Sequence, residues 1–126
     1  MSQNQQRIIP LYASNGEAEA FLVFPYLFNR GGEWIGWVTP KRDVYSVMGN
    51  YVGYLTDDKR ITRKRSEDEL KPRLQPPSKP GKIATPASIP LAPLMGDLPH
   101  SLVDVLLDEP DRLHTVDSGE LREDMD

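Results

Sequence analysis

Cysteine is absent from the sequence, histidine occurs only twice, and apolar residues make up only 38% of the chain. The absence of cysteine excludes disulfides, thiolate catalysis and cysteine-ligated zinc. No apolar run approaches the roughly 20 residues needed to cross a bilayer, which excludes a transmembrane helix and argues against a membrane partner. Residues 1–7 are polar and lack the apolar core of a signal peptide, so we expect a cytoplasmic location. The length of 126 residues allows one ordinary domain and excludes a large enzyme.

Residues with catalytic or metal-binding chemistry are scarce. His100 and His114 do not stand at a known ligand spacing. The adjacent carboxylates Asp57 and Asp58 precede a lysine in a pattern that is typical of a turn. The sequence shows no nucleophile–base pair and no phosphate-binding loop. We therefore expect a protein that is not an enzyme and that needs no cofactor and no metal.

Charge and proline divide the chain into segments. The net charge is −2, then +6, then −8 over residues 1–58, 59–96 and 97–126. Eight of the 12 prolines lie between positions 72 and 99, and each one removes an amide donor and favours extended backbone before it. The composition predicts a folded module over residues 7–66 and an extended, proline-rich linker over residues 67–96.

A short amphipathic helix is predicted after the linker, over residues 97–109, followed by an acidic polar tail over residues 110–126. Asp97 is a candidate N-cap, Pro99 fits the first helical turn, and Pro110 stops the helix. Four apolar residues share one face and are the predicted partner-binding anchors: Leu98, Leu102, Val105 and Leu106. Because so short a helix is marginal in water, it has to dock either on its own β module or on a partner protein.

The most informative feature is an internal repeat. Four segments, each an aliphatic residue followed by Tyr, Phe or Thr, recur at spacings of 16, 17 and 17 residues and begin at Leu11, Leu27, Val44 and Ile61. Residues 32–39 match residues 49–56, and residues 16–23 are a weaker copy in which Ala18 and Ala20 replace an aromatic residue and a glycine. Two short strands with two turns occupy about 17 residues. The repeat therefore predicts β-hairpins around a pseudo-four-fold axis.

Alternation within the repeat predicts which side chains share a face. Trp34, Gly36 and Val38 should share one face of their strand, with Ile35 and Trp37 on the other. A glycine between two aromatic residues indicates a close approach of backbone. The repeated aromatic residues are interpreted as core rather than as the lining of a ligand groove. The predicted equivalent packing positions are Trp37 with Tyr54, and Tyr12 with Phe28 and Tyr45.

The pattern Gly-x-aromatic-aliphatic-Gly-aromatic-aliphatic, followed by aliphatic-Tyr and a further glycine, resembles the four-fold beta-flower domain over about residues 7–66. The resemblance is strongest from Gly32 to Thr62. It implies a small bacterial module in which four hairpins form petals around a central axis, and it implies no settled activity, catalytic residue or cofactor. The predicted fold is thus mainly β: a pseudo-four-fold repeat of hairpins, a proline-rich extended linker and one short C-terminal helix.

Three functions are compatible with these features. The first is a non-enzymatic protein-interaction or adaptor module whose tethered helix docks on another protein, with a homo-oligomer also left open. The second is nucleic-acid binding through the basic stretch 59–82, with contacts from Lys59, Arg60, Arg63, Lys64 and Arg65. The same bases would also serve as a charged edge that prevents strand pairing. The third is small-ligand binding by the β module.

Overall fold

The fold is a single antiparallel sheet whose strands follow one another in chain order. The computed structural model describes residues 7–66 and 71–117. The described strands are β1 (Ile9–Tyr12), β2 (Ala18–Val23), β3 (Tyr26–Phe28), β4 (Trp34–Val38), β5 (Asp43–Ser46), β6 (Tyr51–Leu55), β7 (Ile61–Lys64) and β8 (Leu102–Asp104). A one-turn helix α1 (Val105–Asp108) and a 3-10 turn (Pro110–Arg112) follow β8. The prediction of a mainly β hairpin fold with one short C-terminal helix is confirmed.

Three hairpins and one long-range strand pair build the sheet: the first hairpin is β1–β2, the second β3–β4 and the third β5–β6. Residues 65–101 separate β7 from β8, and we call this pair the fourth hairpin because it takes the fourth place in the repeat. The turns of the first three end in Gly16, Gly32 and Gly49, whose φ angles are +88°, +85° and +88°. These left-handed conformations favour glycine over any residue with a Cβ. The side chains of Asn29 and Ser46 accept hydrogen bonds from amides of the second and third turns. The sequence repeat is therefore a repeat of one turn geometry.

A β-bulge follows the turn in each of the first three hairpins. In the second hairpin Trp34 pairs with Phe28 and Gly36 pairs with Leu27, so Ile35 is the extra residue. The predicted alternation is wrong at this point because the bulge shifts it by one residue. Ile35 faces the central core, whereas Trp34 packs in a separate outer cluster.

The central core lies where the four repeats meet. The first residues of the four repeated segments are fully buried, at 0% exposure: Leu11, Leu27, Val44 and Ile61. Tyr12, Phe28 and Tyr45 follow three of these residues and are buried as predicted. Trp37 and Tyr54 occupy matching positions in β4 and β6, but Tyr54 is exposed, so equivalence in the repeat does not give equal burial.

Close backbone approach at the central glycines is confirmed. A Cβ at Gly36 would lie 2.6 Å from the carbonyl oxygen of Tyr45, and one at Gly53 would lie 2.5 Å from that of Thr62. Real Cβ atoms do not occupy such positions, so these two sites require glycine for space rather than for an unusual φ. The neighbouring strands can then pack tightly around the axis.

The predicted helix over residues 97–109 is corrected by the structure. Leu102–Asp104 forms β8, and only Val105–Asp108 is helical, with Asp104 rather than Asp97 as the N-cap. The reason lies in a contact between distant parts of the chain. Without β8, the backbone amides and carbonyls along one edge of β7 would be unpaired. Pairing of β8 with β7 satisfies those groups, and this gain outweighs the helical spacing of the leucines.

The fourth hairpin is thus completed by a strand from far along the chain. Thr62 pairs with Asp104, as Phe28 pairs with Trp34 and Tyr45 with Tyr51 in the second and third hairpins. Val105 follows Asp104 and is fully buried in the central core, at the place in the repeat that Ile35 and Val52 occupy. The seven strands within residues 7–66 therefore depend on a segment beyond them to pair with β7.

The proline-rich segment forms an extended strap, which we call the belt and define as residues 71–101. It contains no helix or strand, as the proline content predicts. The amide of Leu74 donates to the carbonyl of Gly49 and that of Ile83 to Gly32, both at 3.0 Å. The Tyr12 hydroxyl donates to the carbonyl of Pro90 at 2.7 Å. The belt is therefore attached to the third, second and first hairpins in turn before it enters β8.

Among the described residues no helix has the length and apolar character to cross a membrane.

Alanine substitution of the turn glycines distinguishes two effects on stability: the strain of a positive φ and the collision of a Cβ with the belt. At Gly16 a Cβ would meet nothing within 4 Å among the described residues, whereas at Gly32 and Gly49 it would collide with the carbonyl oxygens of Ile83 and Leu74. We expect G16A to lower the free energy of unfolding by about 1–2 kcal/mol from φ alone. G32A and G49A should cost about 1–3 kcal/mol more because the belt must move. Urea denaturation measures both, and equal losses at the three sites would contradict the belt contacts.

Candidate functional site

Arg60 joins the fourth hairpin to the first and to the belt. Its guanidinium is almost fully buried, and it contacts both carboxylate oxygens of Asp58 at 2.7 and 3.2 Å. It also donates to the Ser14 hydroxyl at 2.8 Å and to the carbonyl of Gly96 at 3.0 Å. Donation from Arg60 lowers the pKa of Asp58. This predicted nucleic-acid contact is therefore a structural cation whose charge is balanced inside the chain.

Asp104 ties β8 to the first hairpin. Its buried carboxylate accepts a hydrogen bond from the Ser14 amide at 2.7 Å and one from the Leu107 amide at 3.3 Å. The second bond caps α1. Ser14 thus receives a bond from Arg60 and gives one to Asp104, so the first and fourth hairpins are held together by charge-assisted hydrogen bonds.

The remaining residues of the predicted basic contact do not form one free surface. Arg63 binds both carboxylate oxygens of Glu109, at 2.9 and 2.8 Å. Arg65 donates to the carbonyl of His100 at 2.8 Å. Lys59 and Lys64 are exposed. Arg60 and Arg63 are therefore paired with carboxylates, whereas Arg65, like Lys59 and Lys64, is exposed.

Glu109 is the acidic centre of a small ion-pair network. Arg63 approaches it from β7, and Arg112 donates to it from the 3-10 turn at 2.7 Å. The hydrogen bonds from Arg63, followed by those from Arg112, lower the pKa of Glu109 to about 2. The network fastens the segment after α1 to the sheet and joins the basic and acidic parts of the chain.

The predicted partner-binding anchors are divided between core and surface. Val105 and Leu106 lie in the central core, where Leu113 joins them, and Leu98 and Leu102 are half-buried. The C-terminal segment is therefore docked on its own sheet. A partner could reach Val105 or Leu106 only if β8 and α1 detached.

The most exposed large apolar side chains lie on the belt. Leu91 and Leu94 are 95% and 100% exposed, and we call this pair the Leu strip. Pro90 and Pro93 precede them, and the bond from Tyr12 holds Pro90 in place. Residues 90–98 are rich in leucine and proline, whereas the predicted anchors lie in the predicted helix and do not include Leu91 or Leu94. Only the burial of α1 reveals that the free apolar surface lies upstream.

Several grooves adjoin these elements, and two of them are the most relevant here. A groove of about 370 Å³ lies between the first hairpin and the belt, and its lining includes Tyr12, Gly16, Ala18, Ile89 and Leu91. A larger polar groove, of about 530 Å³, lies beside α1 and is lined by Asp108, Glu109, Asp111, Arg112 and His114 among others. Within residues 7–66 and 71–117 no three acidic, histidine or cysteine side chains are grouped so as to hold a metal ion. His100 and His114 are not brought together in one site.

Comparison with known families places this arrangement in context. A family model described as 4-fold beta flower protein matches residues 9–97, and the match covers more than half of the chain. The chain belongs to the 4-fold beta flower family, as its hairpin repeat predicts. The match extends past the resemblance at residues 7–66 and includes most of the belt. No curated protein and no solved structure matches the chain.

Removal of the Asp104 carboxylate should loosen the closure of the sheet. D104A leaves the amides of Ser14 and Leu107 without their acceptor, and we expect a loss of about 2–3 kcal/mol in the free energy of unfolding. Asp108 lies on α1, the helix that Asp104 caps, and is exposed. D108A is therefore the matched control and should change the free energy of unfolding by less than about 0.5 kcal/mol. Urea denaturation compares them. Equal effects would show that Asp104 does not hold the hairpins together.

Glu109 should make part of the stability acid-sensitive. Its folded pKa lies below the unfolded value, so its contribution is complete above about pH 4.5 and is lost as the pH falls towards 2. At pH 7, E109Q should lower the free energy of unfolding by about 1–2 kcal/mol because the bonds from Arg63 lose their charged acceptor. The gap between the two proteins should narrow as the pH falls from 4.5, as measured by denaturation at several pH values. A gap that is independent of pH would contradict this role.

Proposed function

We propose that this chain is a non-enzymatic protein-interaction module that binds its partner through the Leu strip. The observation that carries the proposal is the exposure of Leu91 and Leu94 on a segment that is itself attached to the folded sheet. Two almost fully exposed leucines three residues apart are an unusual use of apolar surface in a protein whose apolar content is already low. Burial of each in an interface would contribute about 1.5–3 kcal/mol.

The geometry of the strip favours recognition in an extended form. Pro90 and Pro93 fix φ on either side of Leu91. In an extended polyproline-like backbone of three residues per turn, Leu91 and Leu94 project from the same side. Such segments bind apolar grooves at a low entropic cost because their conformation exists before binding. The Tyr12–Pro90 bond restricts the segment further.

In this proposal the buried C-terminal anchors stabilise the fold and do not contact the partner. Val105 and Leu106 support the sheet from within, so the strand and helix around them hold the end of the belt instead of acting as a free docking helix. The belt is then fixed at both ends, by Gly49 near its start and by β8 at its end. An adaptor role would follow if a second partner used another face of the sheet.

The nucleic-acid alternative has weaker support. Of the five bases proposed for it, Arg60 and Arg63 are paired with Asp58 and Glu109, and charge that is already paired contributes little to phosphate binding. Lys59, Lys64 and Arg65 are exposed, and Arg65 donates to the carbonyl of His100. Small-ligand binding is likewise less favoured, because the larger groove beside α1 is open and polar rather than apolar and enclosed.

Substitution of the Leu strip tests the proposal. The L91S/L94S protein should fold with unchanged stability, because both side chains are solvent-exposed, and should lose the partner that the parent chain retains from native lysate. L107S is the matched control: Leu107 is also exposed, at 42%, but lies on α1. It should retain the same partner. If both variants capture the same proteins as the parent chain, or if the parent chain retains none, the Leu strip is not the binding element.

A further inference from the structure

The three equivalent turn glycines have unequal surroundings. At Gly32 and Gly49 the belt lies directly on the turn, and an aliphatic residue of the belt, Ile83 or Leu74, donates its amide to the glycine carbonyl at 3.0 Å. At Gly16 the turn geometry is the same, with a φ of +88°. No atom of the described residues apart from chain neighbours comes within 4 Å of a Cβ built there. The groove between the first hairpin and the belt opens at this turn.

The groove exists because the first hairpin has a small side chain at one position of the repeat. Ala18 pairs with Tyr12, as Trp34 pairs with Phe28 and Tyr51 with Tyr45. The second and third hairpins therefore carry an aromatic ring where the first carries a methyl group. This difference leaves the space of about 370 Å³ that Gly16, Ala18 and Tyr12 line. Glu17 and Arg30 also line the groove, beside its apolar residues. The volume has room for an extended backbone with one large side chain.

The chain itself carries a segment of this chemistry. At the third hairpin the bound belt sequence is Leu74-Gln75-Pro76, and the segment around the Leu strip likewise has a leucine two residues before a proline, in Leu91-Ala92-Pro93. The Leu74 amide is bonded to a turn glycine and its side chain is 37% exposed, whereas Leu91 is 95% exposed. Leu91 and Pro90 also border the groove. The groove and the strip therefore adjoin on one surface of the molecule.

We propose that the groove at Gly16 binds the Leu strip of a second copy of this chain. Because groove and strip lie side by side, two copies related by a two-fold axis would each insert Leu91 into the groove of the other. The Gly16 carbonyl would accept a backbone amide of the incoming strip, as Gly32 and Gly49 do with the belt. The contact is small compared with the roughly 1,200–2,000 Å² of stable complexes, so the dimer should be weak and dependent on concentration. This inference rests on the proposed function, since both use the Leu strip.

Sedimentation equilibrium of the full chain tests the dimer. The apparent mass should rise from 14.3 kDa towards twice that value as the protein concentration increases. A18W places in the first hairpin the residue found at position 34 and should fill the groove, so this variant should remain monomeric. A18S keeps the groove open and is the matched control, with unchanged association. L91S/L94S should also remain monomeric, and it tests the strip without altering the hairpin.

Mixing the variants tests whether groove and strip bind each other. A18W retains the strip, and L91S/L94S retains the part of the groove that Gly16 and Ala18 line. The mixture should therefore form a heterodimer with one of the two contacts and weaker association than the parent chain. A parent chain that stays monomeric at every concentration, or a dimer that A18W and L91S/L94S leave intact, would overturn the proposal. A monomeric parent chain that still captures a strip-dependent protein would overturn the self-association alone. If the parent chain neither dimerises nor captures a strip-dependent protein, the proposed function is contradicted as well.

Discussion

The antiparallel pairing of β7 with β8 is the contact on which most of the remaining structure depends. A sheet that ended at β7 would expose unpaired amides and carbonyls and would leave the central core open on one side. Pairing with Leu102–Asp104 provides hydrogen-bond partners for the backbone of β7. It also places the residues that follow β8 in the core: Val105, Leu106 and Leu113. The Asp104 carboxylate then fastens the first hairpin to the new strand and caps the helix that follows.

The belt follows from this closure, because the chain must travel around the hairpins to reach β7 again. Extended, proline-rich backbone suits that path, since it needs few internal hydrogen bonds and loses little entropy on ordering. Its amides bond to the carbonyls of Gly32 and Gly49, where the absence of a side chain lets the two backbones approach. A small domain buries only a modest fraction of its surface, and the belt adds contacts that the hairpins alone lack.

Closure also decides which surfaces are left for other molecules. The acidic and basic parts of the chain meet at the Arg63–Glu109 pair, and Arg60 is neutralised by Asp58. The apolar face of the C-terminal segment is used within the molecule. The exposed apolar side chains of the belt and the open groove at the first hairpin are consequently the features with the clearest capacity for binding.

The sequence is sufficient to predict the hairpin repeat, because glycines and aliphatic residues recur at spacings of 16 and 17 residues, and these are the positions of positive φ and of full burial in the structure. It also determined the extended character of the belt, since proline acts locally on φ and on hydrogen bonding. It could not determine that Leu102–Asp104 would be a strand, because its helical spacing is local and its partner β7 lies far along the chain. The exposure of Leu91 and the burial of Arg60 likewise depend on contacts between distant residues. Contacts between the first and fourth hairpins and the belt exist only in the folded chain. These contacts fix which apolar and charged side chains are exposed.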